Sequence, residues 1–284
     1  MNIYRGLPRN SEGINIHTMQ ETKLSNPLLD KLTTPGETFR LPSQGLFYTN
    51  GELTEDVTRG EVVVYPMTTL DEIVLNTPDM LLSGSAVTTV ISRRVPQILH
   101  PEQLLSTDVD FLMLCLRMVT FGRILSMTFQ HTCQGAENHE YDVDLSTLIA
   151  RAKEIDPTSL DAKFKVVMPN GQVVLLRPLI YKQILALYQM AAKSGDAGSW
   201  SLSETEAFVV DALSGVIRSV DGITDPDQIR AWLEQIPLGW KRDIEAAAQQ
   251  TSSWGAELEL KTKCVDCGAD ISIPISVNPV SFFS

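Results

Sequence analysis

Residues 257–277 read ELELKTKCVDCGADISIPISV, and the architecture of the whole chain turns on how this stretch is understood. Two strand-like runs, Glu257 to Lys263 and Ile271 to Val277, flank the turn Cys264-Val265-Asp266-Cys267-Gly268. Two thiolates spaced by two residues can grip one tetrahedral zinc ion from a tight turn. Gly268 suits the position after the second ligand, because glycine accepts positive φ at no steric cost. A redox Cys-x-x-Cys normally sits between a strand and a helix. With strands on both sides, metal binding is favoured over redox work or a pair of plain thiols.

A closed structural zinc site needs four ligands, and Cys264 and Cys267 supply two. The remaining supply is small. Cys133 and His139 lie on a second ligand-rich hairpin, with strand Ile124 to Phe129 before it and Tyr141 to Leu145 after it. His131 lies two residues before Cys133, so strand alternation turns both the same way and makes it the alternative to His139. Cys115 falls in an apolar helical stripe and reads as a core residue. His17 and His100 read as structural. The economical set is Cys133, His139, Cys264 and Cys267 around one zinc. It would close a loop of about 130 residues and so remove much unfolded-chain entropy.

Outward from these hairpins the chain alternates between helix and strand. Glu61 to Pro66 is a β-branched run read as a strand. Thr69 with Glu72 is a capping-box pattern for a helix that stops near Pro78. Further helices are expected over 85–94 and 108–121, the latter from a stripe of Phe111, Leu114, Cys115, Met118 and Val119. A second hairpin, 164–168 with 172–176, is joined at Asn170-Gly171, the favoured two-residue turn pair. Helices are then expected over 181–194, 203–218, 226–235 and 239–250. Ser203 with Glu206, and Asp225 before Pro226, mark two of the starts. Residues 1 to 40 are polar and punctuated by Pro8, Pro27 and Pro35, and read as an extended N-terminal arm that orders against a neighbour. Residues 41–284 read as one body. The fold class expected is α+β: a mainly helical body with β-hairpins and a zinc-ribbon-like element joining distant segments.

Composition narrows function. Hydrophobic residues make up 43% of the 284, enough for a core, while the net charge of −12 repels phosphate backbones and anionic membranes. No apolar run reaches the roughly 20 residues of a spanning helix, and Met1 to Arg5 lacks the apolar stretch of a signal peptide. A soluble protein made in a cytoplasm is expected, with no nucleic-acid or membrane partner. P-loop, dinucleotide, His-Glu-x-x-His and Gly-x-Ser-x-Gly patterns are all missing. Acidic pairs such as Asp108 and Asp110 read as helix starts and solvated faces. No catalytic residue and no enzyme activity are expected.

Several stretches resemble one family. Leu41-Pro42-Ser43-Gln44-Gly45-Leu46-Phe47-Tyr48 and Val62-Val63-Val64-Tyr65-Pro66-Met67-Thr68-Thr69-Leu70-Asp71-Glu72 are similar to the opening signature of the T-even-type phage baseplate hub protein family. The resemblance continues through Leu81-Leu82-Ser83-Gly84, the helix ending at Phe121-Gly122, Ile217 to Gly222, and the ribbon ending in Phe282-Phe283. It implies a structural component of a contractile tail's baseplate, near the hub or inner wedge and located in the virion. The partners implied are other baseplate and tail proteins, or further copies of this chain. An assembly factor that leaves the finished tail, or a host zinc-ribbon adaptor, would be the alternatives. The pattern departs from relatives at Cys133-Gln134-Gly135-Ala136, where a second cysteine is missing and His139 stands as substitute.

Overall fold

The strand at Glu61–Val64 places Val62 and Val64 inward and wholly buried, as its β-branched run requires. Its partner lies upstream: Glu37–Arg40 (β1) pairs antiparallel with Glu61–Val64 (β2), Phe39 opposite Val62. The computed structural model describes residues 34–130, 133, 138–159, 164–193, 201–250, 254–277 and 282–283. The expected arm therefore falls mostly outside the described residues, as do His17 and His131. Its last four residues are not arm at all, because β1 is part of the body's sheet.

Three short helices follow, Thr69–Leu75 (α1), Pro78–Ser83 (α2) and Ser85–Arg94 (α3). The first is capped by Thr68, one residue ahead of the expected Thr69. The Thr68 amide and hydroxyl both donate to the carboxylate of Asp71, the N3 residue, at 2.9 and 2.8 Å. Asp71 is wholly buried and takes this role from Glu72 because Arg94 and Arg93 close on it at 2.9 and 3.4 Å. Pro78, read as a stop, opens α2 at its first position, where a missing N–H costs nothing. Gly84 ends α2 and starts α3 at φ +72°, and a Cβ there would lie 2.3 Å from Leu185.

Ser106–Phe121 (α4) is the centre of the body. The sequence stripe covers one face, but Phe111, Leu112, Met113, Leu114, Cys115 and Leu116 are all buried. A helix apolar all round is one wrapped by its neighbours. Cys115 is accordingly a core residue, its thiol pushed well up by burial. Ile124–Gln130 (β3) and Asn138–Asp144 (β4) then form an antiparallel hairpin, and Asp144 caps Leu145–Ala150 (α5), accepting the Ser146 amide at 3.0 Å.

A second core lies under a three-stranded antiparallel sheet, Lys165–Val167 (β5), Val173–Leu176 (β6) and Ile217–Val220 (β7). The β5–β6 turn holds three residues, not two. Met168 pairs with Gln172 across Pro169-Asn170-Gly171, with Gly171 at φ +87°. Proline in the first turn position favours this longer loop with a left-handed glycine. Tyr181–Lys193 (α6), Leu202–Val216 (α7), Pro226–Gln235 (α8) and Leu238–Gln250 (α9) complete this half. Asp225 caps α8 as expected, accepting the Gln228 amide at 2.9 Å. The expected helix over 203–218 instead gives up its last two residues to β7, which takes the free edge of β6.

Tyr48 packs against both cores. Its hydroxyl donates to Asp108 at 2.6 Å and accepts the Leu105 amide at 3.0 Å, while Asp108 also accepts the Ser43 amide at 3.1 Å. Asp108 is thus a wholly buried bracket between the Leu41–Tyr48 turn and α4, not the solvated helix start its charge suggested. Glu259–Lys263 (β8) and Asp270–Pro274 (β9) form the last hairpin. The chain returns to the first core through Ile275, Phe282 and Phe283, where Arg117 donates to the Phe282 carbonyl at 2.9 Å. The α+β class, with small antiparallel sheets among helices, is as expected. Among the described residues no helix is long and apolar enough to cross a membrane.

Candidate metal centre

The turn after β8 is a compact knuckle. The Cys264 amide donates to the Ala269 carbonyl at 2.8 Å, and the Gly268 amide returns to the Cys264 carbonyl at 2.9 Å. Gly268 sits at φ +69°, the left-handed conformation the sequence assigned to it. This winding aims backbone amides at sulfur. Those of Cys267 and Asp266 point to the Cys264 thiol, and that of Ala269 to the Cys267 thiol. The Cys264 thiol is held below its ordinary value chiefly by the Cys267 amide, which stabilises a thiolate. Cys267 moves the other way. The Ala269 amide opposes the rise, but desolvation and the neighbouring thiols of Cys264 and Cys133 outweigh it.

The other hairpin delivers the third thiol. Cys133 lies beyond the end of β3, and its sulfur stands 4.0 Å from that of Cys264, 131 positions later. The sulfurs of Cys133, Cys264 and Cys267 all lie within 4.8 Å of one another. Zinc–sulfur bonds of about 2.3 Å in a tetrahedron put sulfurs about 3.8 Å apart, so this donor set fits zinc with little movement. Under the thiols, Tyr141 from β4 packs with Cys264, Ile271 and Ile273, and Met127, Phe129 and Leu260 lean on this small cluster. The two hairpins, 124–145 and 256–277, are therefore adjacent although distant in sequence.

His139 stands outside the thiol cluster. It opens the inward-facing series of β4 that continues with Tyr141, against whose ring it packs edge-on with centroids 6.5 Å apart. Its Nε2 lies 2.8 Å from a carboxylate oxygen of Asp266, the residue between the two cysteines of the knuckle. Asp266 escaped the reading of the sequence because an exposed acidic residue inside a Cys-x-x-Cys turn has no partner until the second hairpin arrives. His100, read as structural, is exposed and faces Glu102 at 3.6 Å.

Compared with known protein families, residues 52–284 match the one described as T4 bacteriophage base plate protein. Neither a search of curated proteins nor one of solved structures returns a match.

Proposed function

The chain belongs to the T4 bacteriophage base plate protein family, and from that premise we propose that it is a structural component of a contractile tail's baseplate. It sits in the hub or inner wedge and binds neighbouring baseplate proteins or further copies of itself. Its role is to hold parts together, not to catalyse a reaction. The observation that carries this reading is the extent of the match, which spans nearly all of both cores and both cysteine-bearing hairpins. The acidic chain, with no helix suited to a membrane among the described residues, is consistent with protein partners.

Within that role, Cys133, Cys264 and Cys267 supply three of the four ligands of a structural zinc ion. Zinc supplies a cross-link with no redox chemistry of its own, so the centre fixes two hairpins against each other in a compartment where a disulfide would not persist. Mass spectrometry of purified particles tests the function. The expected result is this chain in mature tails at a fixed ratio to other baseplate proteins, cross-linked to them through its surface lysines. Its presence in hub precursors but absence from mature tails would assign it to assembly instead.

A further inference from the structure

The sulfurs of Cys133, Cys264 and Cys267 lie within 4.8 Å of one another, and contacts between the two hairpins set that spacing. Among the described residues, the apolar cluster beneath buries Tyr141, Cys264, Ile271 and Ile273, with Met127, Phe129 and Leu260 packed against it. A further cross-hairpin contact among the described residues is polar: His139 on β4 meets Asp266 inside the knuckle at 2.8 Å. The two side chains are 21% and 28% exposed, so each is partly covered where the hairpins meet. The contact spans 127 positions of sequence and ends on the residue whose own amide points to the Cys264 sulfur. Pulling on Asp266 therefore sets the knuckle's position relative to the hairpin that carries Cys133.

Resting on the zinc reading above, we infer that His139 and Asp266 form an outer latch that pre-organises the three-thiol site, and that His139 is a positioning residue and not a ligand. The ring nitrogens are absent from the ligand cluster, and Nε2 is already committed to the carboxylate. The latch fixes the separation of Cys133 and Cys264 before metal arrives, so less conformational freedom is lost on binding. Removing groups that orient metal ligands typically costs about 10- to 100-fold in metal affinity while leaving the ligand set intact.

Cobalt(II) titration of the full chain separates the two roles, because d–d bands report the donor atoms and the titration midpoint reports affinity. His139→Ala and Asp266→Ala should each weaken cobalt binding about 10- to 100-fold with the wild-type band positions kept. The double variant should be no weaker than either single one. His139→Gln, which retains a donor for Asp266, should recover part of the affinity. Bands that move in His139→Ala and His139→Gln but not in Asp266→Ala would make His139 a ligand and overturn the latch. A second arm needs no metal. In a Cys267→Ser background, mild oxidation of metal-free protein with diamide should close a Cys133–Cys264 disulfide readily, and far more slowly once His139 or Asp266 is replaced by alanine. Equal rates would also overturn the latch. If the wild-type chain shows no cobalt bands, the zinc reading fails by itself, and the oxidation rates still decide the latch.

Discussion

The helical body around α4 and the paired hairpin tips are held by different physics. In the body, Leu112, Leu114 and Leu116 are wholly buried and every side of the helix is covered. At the tips, the buried set shared by the two hairpins is Tyr141, Cys264, Ile271 and Ile273. Two-stranded hairpins are marginal in water unless something covers a face. The body therefore has the apolar burial to stand without metal, whereas on the proposed reading the thiol site and the latch beside it join the hairpin tips, whose bases are anchored in the first core through Leu125, Val143 and Ile275.

The largest effect should come from the body. Leu114→Ala leaves a cavity in a region with no room to collapse, and a loss of about 2–5 kcal/mol is expected in denaturant unfolding, with metal content unchanged. If zinc is lost with it, the two regions are not separable as described. Gly84→Ala comes next. It puts a Cβ 2.3 Å from Leu185 and forces a left-handed φ on alanine, so about 1–3 kcal/mol should be lost, read as a lower Tm. A smaller change in Tm would mean that α6 yields easily to the α2–α3 corner.

Acid sharpens the comparison through two carboxylates of opposite behaviour. Burial pushes Asp108 in the body up to about 6, above the ordinary 3.8. A raised folded value means the native state binds that proton more tightly, so its contribution is full below about pH 3.8 and is lost as pH rises through 6. Asp144, at the root of the first hairpin, is held down at about 2 by the Ser146 hydroxyl and then Arg123. Its contribution is present above pH 3.8 and is lost as pH falls toward 2. Stability measured from pH 7 to 4 should thus gain from Asp108, with a slope of at most about 1.4 kcal/mol per pH unit for one proton. Asp108→Asn should remove that part of the slope and leave the region below pH 3.8 unchanged.

The two regions also differed in how far their sequences could be read. The boundaries of α3 and α8 are where periodicity and caps place them, because Asp225-Pro226 and the alternation of apolar residues are local signals. The strand β7 was hidden. Ile217 to Val220 continues the helical pattern, and only the free edge of β6 turns it into a strand. Asp108 was misread because a charge in sequence signals solvent, and the partners that allow its burial lie 60 or 65 positions away. At the tips, Cys264 and Cys267 announce themselves by spacing, and Cys133 follows from the scarcity of other thiols. The pairing of His139 with Asp266 had no local signal, since neither residue is unusual until the hairpins meet.

Hydrogen exchange of the zinc-loaded and the chelator-stripped chain tests the difference between hairpin tips and body most directly. The expected result is loss of amide protection confined to β3–β4 and β8–β9, with α4 and the β5–β6–β7 sheet exchanging at their former rates. Protection that falls across the whole chain on metal removal, or nowhere in it, would contradict the account.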